Sequence, residues 1–257
     1  MSSAHDTSPR DPAVLIERLE ARYGDTAVLR GIDATFAKGE ISVVLGASGS
    51  GKTTLFRHII GLLTPQSGRV QVLGTDLVAA SERDIESVRR RIGVLFQQGA
   101  LLNSISVFDN VRVPLEQHAS LPDPIIDTIV RTKLALVGLD PHGDMLPGAL
   151  SGGMRKRAAL ARALALDPEI LLCDEPSSGL DPITARSLDQ LLRDLQRQLG
   201  MTMIVITHDM ASVRRTADRV FFLHQGSILF TGSVAEAETC ARSEVRDFLS
   251  AAEVATL

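Results

Sequence analysis

The chain has 257 residues, 44% apolar and 23% charged, with a formal net charge of -4. That length suits one or two compact units, and the balance is that of an ordinary globular protein. The slight negative charge and 4% aromatic content, with no Trp and one Tyr, argue against a surface that neutralises or stacks on nucleic acid.

Residues 1–12, "MSSAHDTSPRDP", contain no apolar segment of signal-peptide type and read as a disordered leader. From Ala13 to Phe36, runs of alternating character predict antiparallel strands, with Ile32, Ala34 and Phe36 on one face. Four compact runs follow along the chain: "ISVVL", "RIGVLF", "EILLC" and "TMIVIT". Rich in Ile, Val and Leu and separated by helix-like segments, they suit strands buried on both faces. The expected fold class is therefore α/β with a mainly parallel sheet. From about residue 99 to 165 the chain turns helical and loop-rich. There Ile126, Val130, Leu134 and Val137 form one stripe that ends near Gly138 and reads as core packing. A helical insertion thus interrupts the α/β core. "RVFFLHQGSILFTG" predicts a hairpin turning at Gln225-Gly226.

No stretch reaches the roughly 18 consecutive apolar residues that a membrane helix needs. Cys173 and Cys240 are too few for a disulfide framework, which points to a reducing compartment. The clusters Arg89-Arg90-Arg91 and Arg155-Lys156-Arg157 read as solvated helix faces.

The stretch from Gly46 to Thr53 matches G-x-x-x-x-G-K-[ST], with Ala47, Ser48, Gly49 and Ser50 in its free positions and Thr54 directly after it. An apolar run precedes it and a helix-like run follows, which is the context a phosphate loop requires. Glycines let successive N–H groups point inward at a phosphate chain, and the following helix N-terminus adds partial positive charge. Lys52 supplies a full charge to the β- and γ-phosphates, and the Thr53 hydroxyl suits Mg²⁺. The reading is nucleoside triphosphate binding. "EILLCDEP" then ends an apolar strand in two carboxylates. Asp174 is placed to hold Mg²⁺ through water, and Glu175, one residue beyond the strand, to polarise an attacking water. His208 closes "TMIVITH" in the same geometry, where its imidazole could sense the γ-phosphate.

Between these elements lies "LSGGMRKRAALARALALDPEILLCDEP", which closely resembles the signature motif and Walker B segment of ATP-binding-cassette (ABC) ATPases. The resemblance runs from about Ala13 to Gly232. It implies a P-loop nucleotide-binding domain over residues 13–235, with an N-terminal antiparallel β-subdomain and a helical subdomain at about 99–165. Residues 236–257 would form a C-terminal tail, a candidate dimer contact. By the same resemblance Tyr23 matches the aromatic that stacks on adenine, although packing alone would also explain it. Gln97, the residue directly after Phe96, is preferred to Gln98 as the Q-loop glutamine and a magnesium ligand. Ser151, Gly152 and Gly153 match the signature core, Asp181 the D-loop and His208 the switch histidine. The implied cofactors are ATP and Mg²⁺. The implied partner is a second copy of the chain, with two ATP molecules sandwiched head to tail. Two departures stand out: Met154 occupies the usual Gln position of the signature, and Gly179 stands where many D-loops carry Ala.

Within the family, "FQQGALLNSISVFDNVRVPL" resembles the Mla/Mkl-type ATPases of phospholipid-trafficking systems built around MCE proteins. Gly99, Ala100, Leu101, Ser104, Val107, Phe108, Asp109, Asn110 and Val111 fit that pattern. The resemblance implies a peripheral subunit on the cytoplasmic face of the inner membrane. Its partners would be an integral permease, an MCE-domain protein and, as an option, a small regulatory subunit. Methionine and amino-acid importers share parts of the segment, so a small-solute cargo stays open. Non-transport relatives fit less well: about 97 residues separate Lys52 from Leu150 without sustained heptads, and there is one cassette.

Overall fold

The computed structural model describes residues 12–254. The expected leader therefore lies outside the described residues, apart from Pro12, which already opens the first strand. The chain begins with β1 (Pro12–Tyr23), β2 (Thr26–Ala37), β3 (Ile41–Leu45) and α1 (Lys52–Ile59). Next come β4 (Ser67–Val72), β5 (Thr75–Asp76), α2 (Glu82–Arg90) and β6 (Ile92–Leu95). Three helices follow: α3 (Val107–His118), α4 (Asp123–Leu136) and α5 (Gly152–Ala163). Then β7 (Ile170–Asp174), α6 (Pro182–Leu199), β8 (Thr202–Ile206) and α7 (Met210–Thr216) return the chain to the sheet. It ends with the hairpin β9 (Arg219–His224) and β10 (Ser227–Gly232), then α8 (Val234–Glu238) and α9 (Ser243–Val254).

Two sheets result. A four-stranded antiparallel sheet runs β2-β1-β4-β5, and a six-stranded sheet runs β10-β9-β3-β8-β7-β6. Every pairing from β9 to β6 is parallel, while β10 is antiparallel to β9. Alternation along β7 explains why its sequence is apolar throughout. Leu171 and Cys173 face one core, shared with the helices, whereas Ile170 and Leu172 face a second core under the antiparallel sheet. Burial pushes the Cys173 thiol up to about 12, so it stays protonated and packs as a small apolar group. Phe36 and Phe221 join the two sheets with ring centroids 4.6 Å apart.

The expected stripe on α4 is buried, with Ile126, Val130, Leu134 and Val137 at 3% exposure or less. In α3, Ser106 caps the helix by accepting from the Asp109 N–H. The fully buried Asn110 donates from Nδ2 to the carbonyls of Leu102 and Ser106, and accepts from the Leu102 N–H. That side chain pins the loop after Gln97 to the helices.

The boundary expected after residue 235 falls inside α8. Beyond it, α9 is docked on its own chain: Val245 and Leu249 are buried, and the Phe248 ring lies 5.1 Å from that of Phe222.

The two basic clusters are solvated faces only in part: Arg90 and Arg91 pair with Glu86 and Glu169 at the surface, whereas Arg89 and Arg157 reach carbonyls of neighbouring segments. Arg89 donates to the carbonyls of Ile60 and Gly61, and Arg157 to the Val137 carbonyl and the Ser187 hydroxyl. Lys156 is buried outright.

Because Leu134 is fully enclosed between α3, α4 and α5, Leu134→Ala should cost about 2–5 kcal/mol. Urea unfolding followed by circular dichroism measures it, and an unchanged midpoint would contradict the packing described.

Candidate active site

The parallel register decides which residues can meet. Val44 of β3 and Asp174 of β7 both pair with Ile206 of β8, so the three strands end side by side. Ligand sites in such sheets form at the carboxyl ends of the strands, where neighbouring loops diverge.

The loop leaving β3 turns sharply at Gly46, whose φ is +156°. A Cβ there would sit 2.2 Å from the Leu223 carbonyl oxygen, so only glycine lets the loop lie this close to β9. Lys52 Nζ reaches back across the loop and donates to the Gly46 and Ala47 carbonyls at 2.7 and 2.9 Å. The helix it opens, α1, begins at Gly51 with no side-chain cap, which leaves its first N–H groups for an anion. Ser50 Oγ is buried and has no hydrogen-bond partner. Ala47, Ser48, Gly49 and Thr53 are exposed, whereas Thr54 is buried beneath the loop. Burial pulls the Lys52 ammonium below its ordinary value, with Glu175 and Asp174 pulling the other way.

Across from the loop, Glu175 takes a left-handed conformation with φ +48°, rare for a residue with a side chain. Such a conformation costs on the order of 1–3 kcal/mol and persists where neighbours hold it. Here the Glu175 N–H donates to the Ile206 carbonyl at 2.8 Å, which turns the carboxylate toward the end of β8. Glu175 Oε1 then lies 2.7 Å from His208 Nδ1, and Oε2 accepts from the Thr207 hydroxyl at 3.3 Å. The His208 ring is 67% exposed against 13% for the Glu175 side chain, so the histidine is the movable half of the pair. Burial pushes the Asp174 carboxyl above its ordinary range. Glu175 adds to that shift, and Lys52, Lys156 and Arg57 oppose it.

Other expected residues group differently. Gln97 donates from its amide to Ser178 Oγ at 3.4 Å, so it faces the loop beyond Glu175. Tyr23 is half exposed and shares a cleft of about 300 Å³ with Thr54, His58 and Gln66, beside the phosphate loop. Asp181 caps α6, accepting from the Ile183 and Thr184 N–H groups at 3.0 Å each. The Thr184 hydrogen bonds hold its carboxyl below the usual range. Ser151 caps α5 by accepting from the Met154 N–H at 3.3 Å. Gly152 lines a cleft with Gln98, Arg155, Ser178 and Leu180, and no residue of the phosphate loop lines that cleft. A Cβ on Gly153 would meet Thr184 Cγ2 at 2.4 Å, so that glycine also lets α5 approach α6.

Three contributors were not anticipated: Thr207, Ser178 and Lys156. Lys156 Nζ donates to the Gln97 carbonyl and, at 3.1 Å, to the Glu175 carbonyl. Its position three and four residues before Ala159 and Leu160 put it on the buried face of α5, a signal available in the sequence.

A loop that cradles an anion, facing two carboxylates and a histidine, is the equipment for cleaving a phosphoanhydride. Comparison with known proteins agrees. Residues 29–178 match the ABC transporter family. The chain belongs to that family.

Among curated relatives, the probable ribonucleotide transport ATP-binding protein Mkl of Mycobacterium tuberculosis H37Rv is 39% identical, over 94% of this chain and 67% of its own length. The intermembrane phospholipid transport system ATP-binding protein MlaF of Escherichia coli K12 is 40% identical, over 88% of this chain and 84% of its own. The methionine import ATP-binding protein MetN of Rhodospirillum rubrum is 44% identical, over 86% of this chain and 62% of its own. Among solved structures, CbiO1 of Clostridium perfringens, part of the ABC transporter complex CbiONQ, superposes with a TM-score of 0.82 at 32% identity. That match covers 96% of this chain and all of the other. The cassette MJ0796, solved as a dimer bound to ADP and Pi, gives 0.78 at 28% identity, over 86% and 98%.

The cassette is thus an ATP-hydrolysing subunit of an ABC transporter, and its residues fit ATP. The uncapped α1 terminus, the Lys52 ammonium and the unpartnered Ser50 hydroxyl suit the phosphate chain, and the cleft at Tyr23 adjoins them. ATP when bound supplies the anhydride whose cleavage releases energy.

Because Asp174's folded value lies above its unfolded one, stability is lost as pH rises from the unfolded value through that raised value, and the loss is complete above it. Asp174→Asn should therefore melt higher than wild type at pH 7 in magnesium-free, nucleotide-free buffer, by about 2–4 °C per kcal/mol relieved. A lower melting temperature in scanning calorimetry would contradict this assignment.

Proposed function

We propose that two copies of this cassette close head to tail around two ATP molecules and drive a membrane permease that moves phospholipid by way of an MCE-domain protein. In each site Lys52 and the N–H groups from Gly46 to Thr54 bind the phosphates, and Tyr23 stacks on the base. Thr53, Gln97 and Asp174 are the residues that would hold Mg²⁺, which would offset the charge of the phosphates. Glu175 polarises the attacking water, and His208 leaves its carboxylate to contact the γ-phosphate. Ser151, Gly152 and Gly153 present the start of α5 to the phosphate bound by the partner, with Asp181 beside that seam. The observation that supports the dimer is that the cleft at Gly152 is lined by Gln98, Arg155, Ser178 and Leu180 and by no residue of the phosphate loop, and the similar cassette MJ0796 was solved as a dimer bound to ADP and Pi.

Support for the permease contact comes from the segment after Gln97. Leu102 within it and Phe96 just before Gln97 are more than 40% exposed. Beside them a cleft of about 380 Å³ opens between α2, α3 and α5, lined by Arg89, Phe96, Pro114, His118 and Arg162. Among the described residues no helix is long and apolar enough to cross a membrane. The cassette then sits as a peripheral subunit on the cytoplasmic face of the inner membrane, reached through its permease, with α9 a candidate dimer contact. The phospholipid reading rests on the Gly99–Val111 pattern and on kinship with MlaF. Kinship with MetN supports a second reading, a small-solute importer.

Glu175→Gln should bind ATP with magnesium yet lose about 10²-fold or more of turnover, and accumulate as an ATP-dependent dimer in size-exclusion chromatography. Wild-type hydrolysis in that variant would remove Glu175 from its role. Isolation of the native complex in mild detergent separates the cargo readings. A permease with an MCE-domain protein and lipid is expected, whereas a periplasmic solute-binding protein would favour the importer.

A further inference from the structure

Lys156 does something that neither nucleotide binding nor simple packing requires. It is 7% exposed, and it lies on α5, one turn after the serine cap at Ser151. Its ammonium donates to two main-chain carbonyls that belong to different loops: Gln97, just beyond β6, and Glu175, just beyond β7. A charged donor on a carbonyl is about twice as strong as a neutral one, and burial shields it from water. At Glu175 the contact has a further consequence. The left-handed backbone there is fixed on its N–H side by the Ile206 carbonyl, and on its carbonyl side by Lys156. Lys156 also lines a cleft of about 240 Å³, where Gln98, Gly152, Arg155, Ser178 and Leu180 meet. The loop carrying Gln97, the start of α5 and the loop before α6 therefore converge on one buried cation.

We propose that Lys156 is a positioning residue that ties a subunit's own catalytic loop to the serine cap it lends its partner. By holding the Glu175 and Gln97 carbonyls from α5, it makes the aim of the Glu175 carboxylate depend on where Ser151–Gly153 sit. Engagement of that cap by nucleotide on the partner then orients Glu175 for the nucleotide on its own side, and the two sites turn over together. The inference rests on the head-to-tail dimer of the proposed function.

The test uses the full chain and three variants, with steady-state ATP hydrolysis read against ATP concentration. Lys156→Met should lower kcat by about 10–100-fold, the cost of misplacing a catalytic group. It should also bring the Hill coefficient to about 1 while changing KM less than about threefold, since no interaction with nucleotide is removed. Lys156→Arg, which keeps a long charged donor, should restore cooperativity and come within about threefold of wild-type kcat. If Lys156→Met fails to fold, Lys156→Gln, with a donor but no charge, decides on the same readouts. Wild-type kcat and Hill coefficient in the neutral variant, or a loss confined to KM, overturns the proposal. So does an arginine variant that melts like wild type but stays as slow as the methionine one. A wild-type enzyme without cooperativity also overturns the coupling, whereas a Glu175→Gln variant that binds ATP and stays monomeric would instead remove the dimer reading.

Discussion

Register across three parallel strands is the constraint on which the site depends. Val44 and Asp174 flank Ile206 in one line across β3, β8 and β7. Within two residues of that line each strand leaves the sheet, β3 into the loop that carries Lys52, β7 at Glu175 and β8 at the Thr207-His208 pair. A slip of one residue in β7 would flip Leu171 and Cys173 to the opposite core and turn Asp174 away from the loop. The two hydrophobic layers on either face of the sheet therefore fix the chemistry as well as the stability. Neither layer could accept the other's side chains without leaving voids or clashes.

Charge is concentrated where that register converges. Lys52 and Lys156 are drawn down by burial, Asp174 is pushed up by it, and each is stabilised by the opposite sign nearby. A site made only of carboxylates would repel phosphate, and one made only of lysines would bind it without activating water. The four groups, counting Glu175, offset one another at rest. They are also committed to neighbours: Lys52 to two loop carbonyls, Glu175 to Thr207 and His208. Under the proposed function, phosphate binds by exchange of these partners, and occupation of the loop then changes where His208 and Glu175 point.

Much of this was legible in the sequence because the signals were local. The strand runs, the α4 stripe, the hairpin at Gln225-Gly226 and the phosphate loop all follow from periodicity or from spacing within a few residues. What escaped was long-range. Arg155-Lys156-Arg157 looks like a charged helix face in one dimension, yet Lys156 joins residues 59 and 19 positions away. The left-handed turn at Glu175 leaves no mark in "DEP", and the role of Ser178 depends on where Gln97 arrives. Gly153 shows the same limit from the other side: its phosphate role follows from the motif, but its close approach to Thr184 appears only once α5 and α6 are packed.

That approach bears on how the motif tolerates Met154. In the proposed role the serine cap and two glycines act through backbone N–H groups at the start of a helix, so the residue after them contributes little to the anion-facing surface. Met154 is half-buried and packs against the helical core, where an unbranched apolar chain fits irregular space. Its own N–H is already taken by Ser151. A glutamine there would bring an amide to a partly apolar site without adding a backbone donor. The departure from the family pattern thus alters the packing of α5 and leaves intact the first turn on which the proposed partner contact rests.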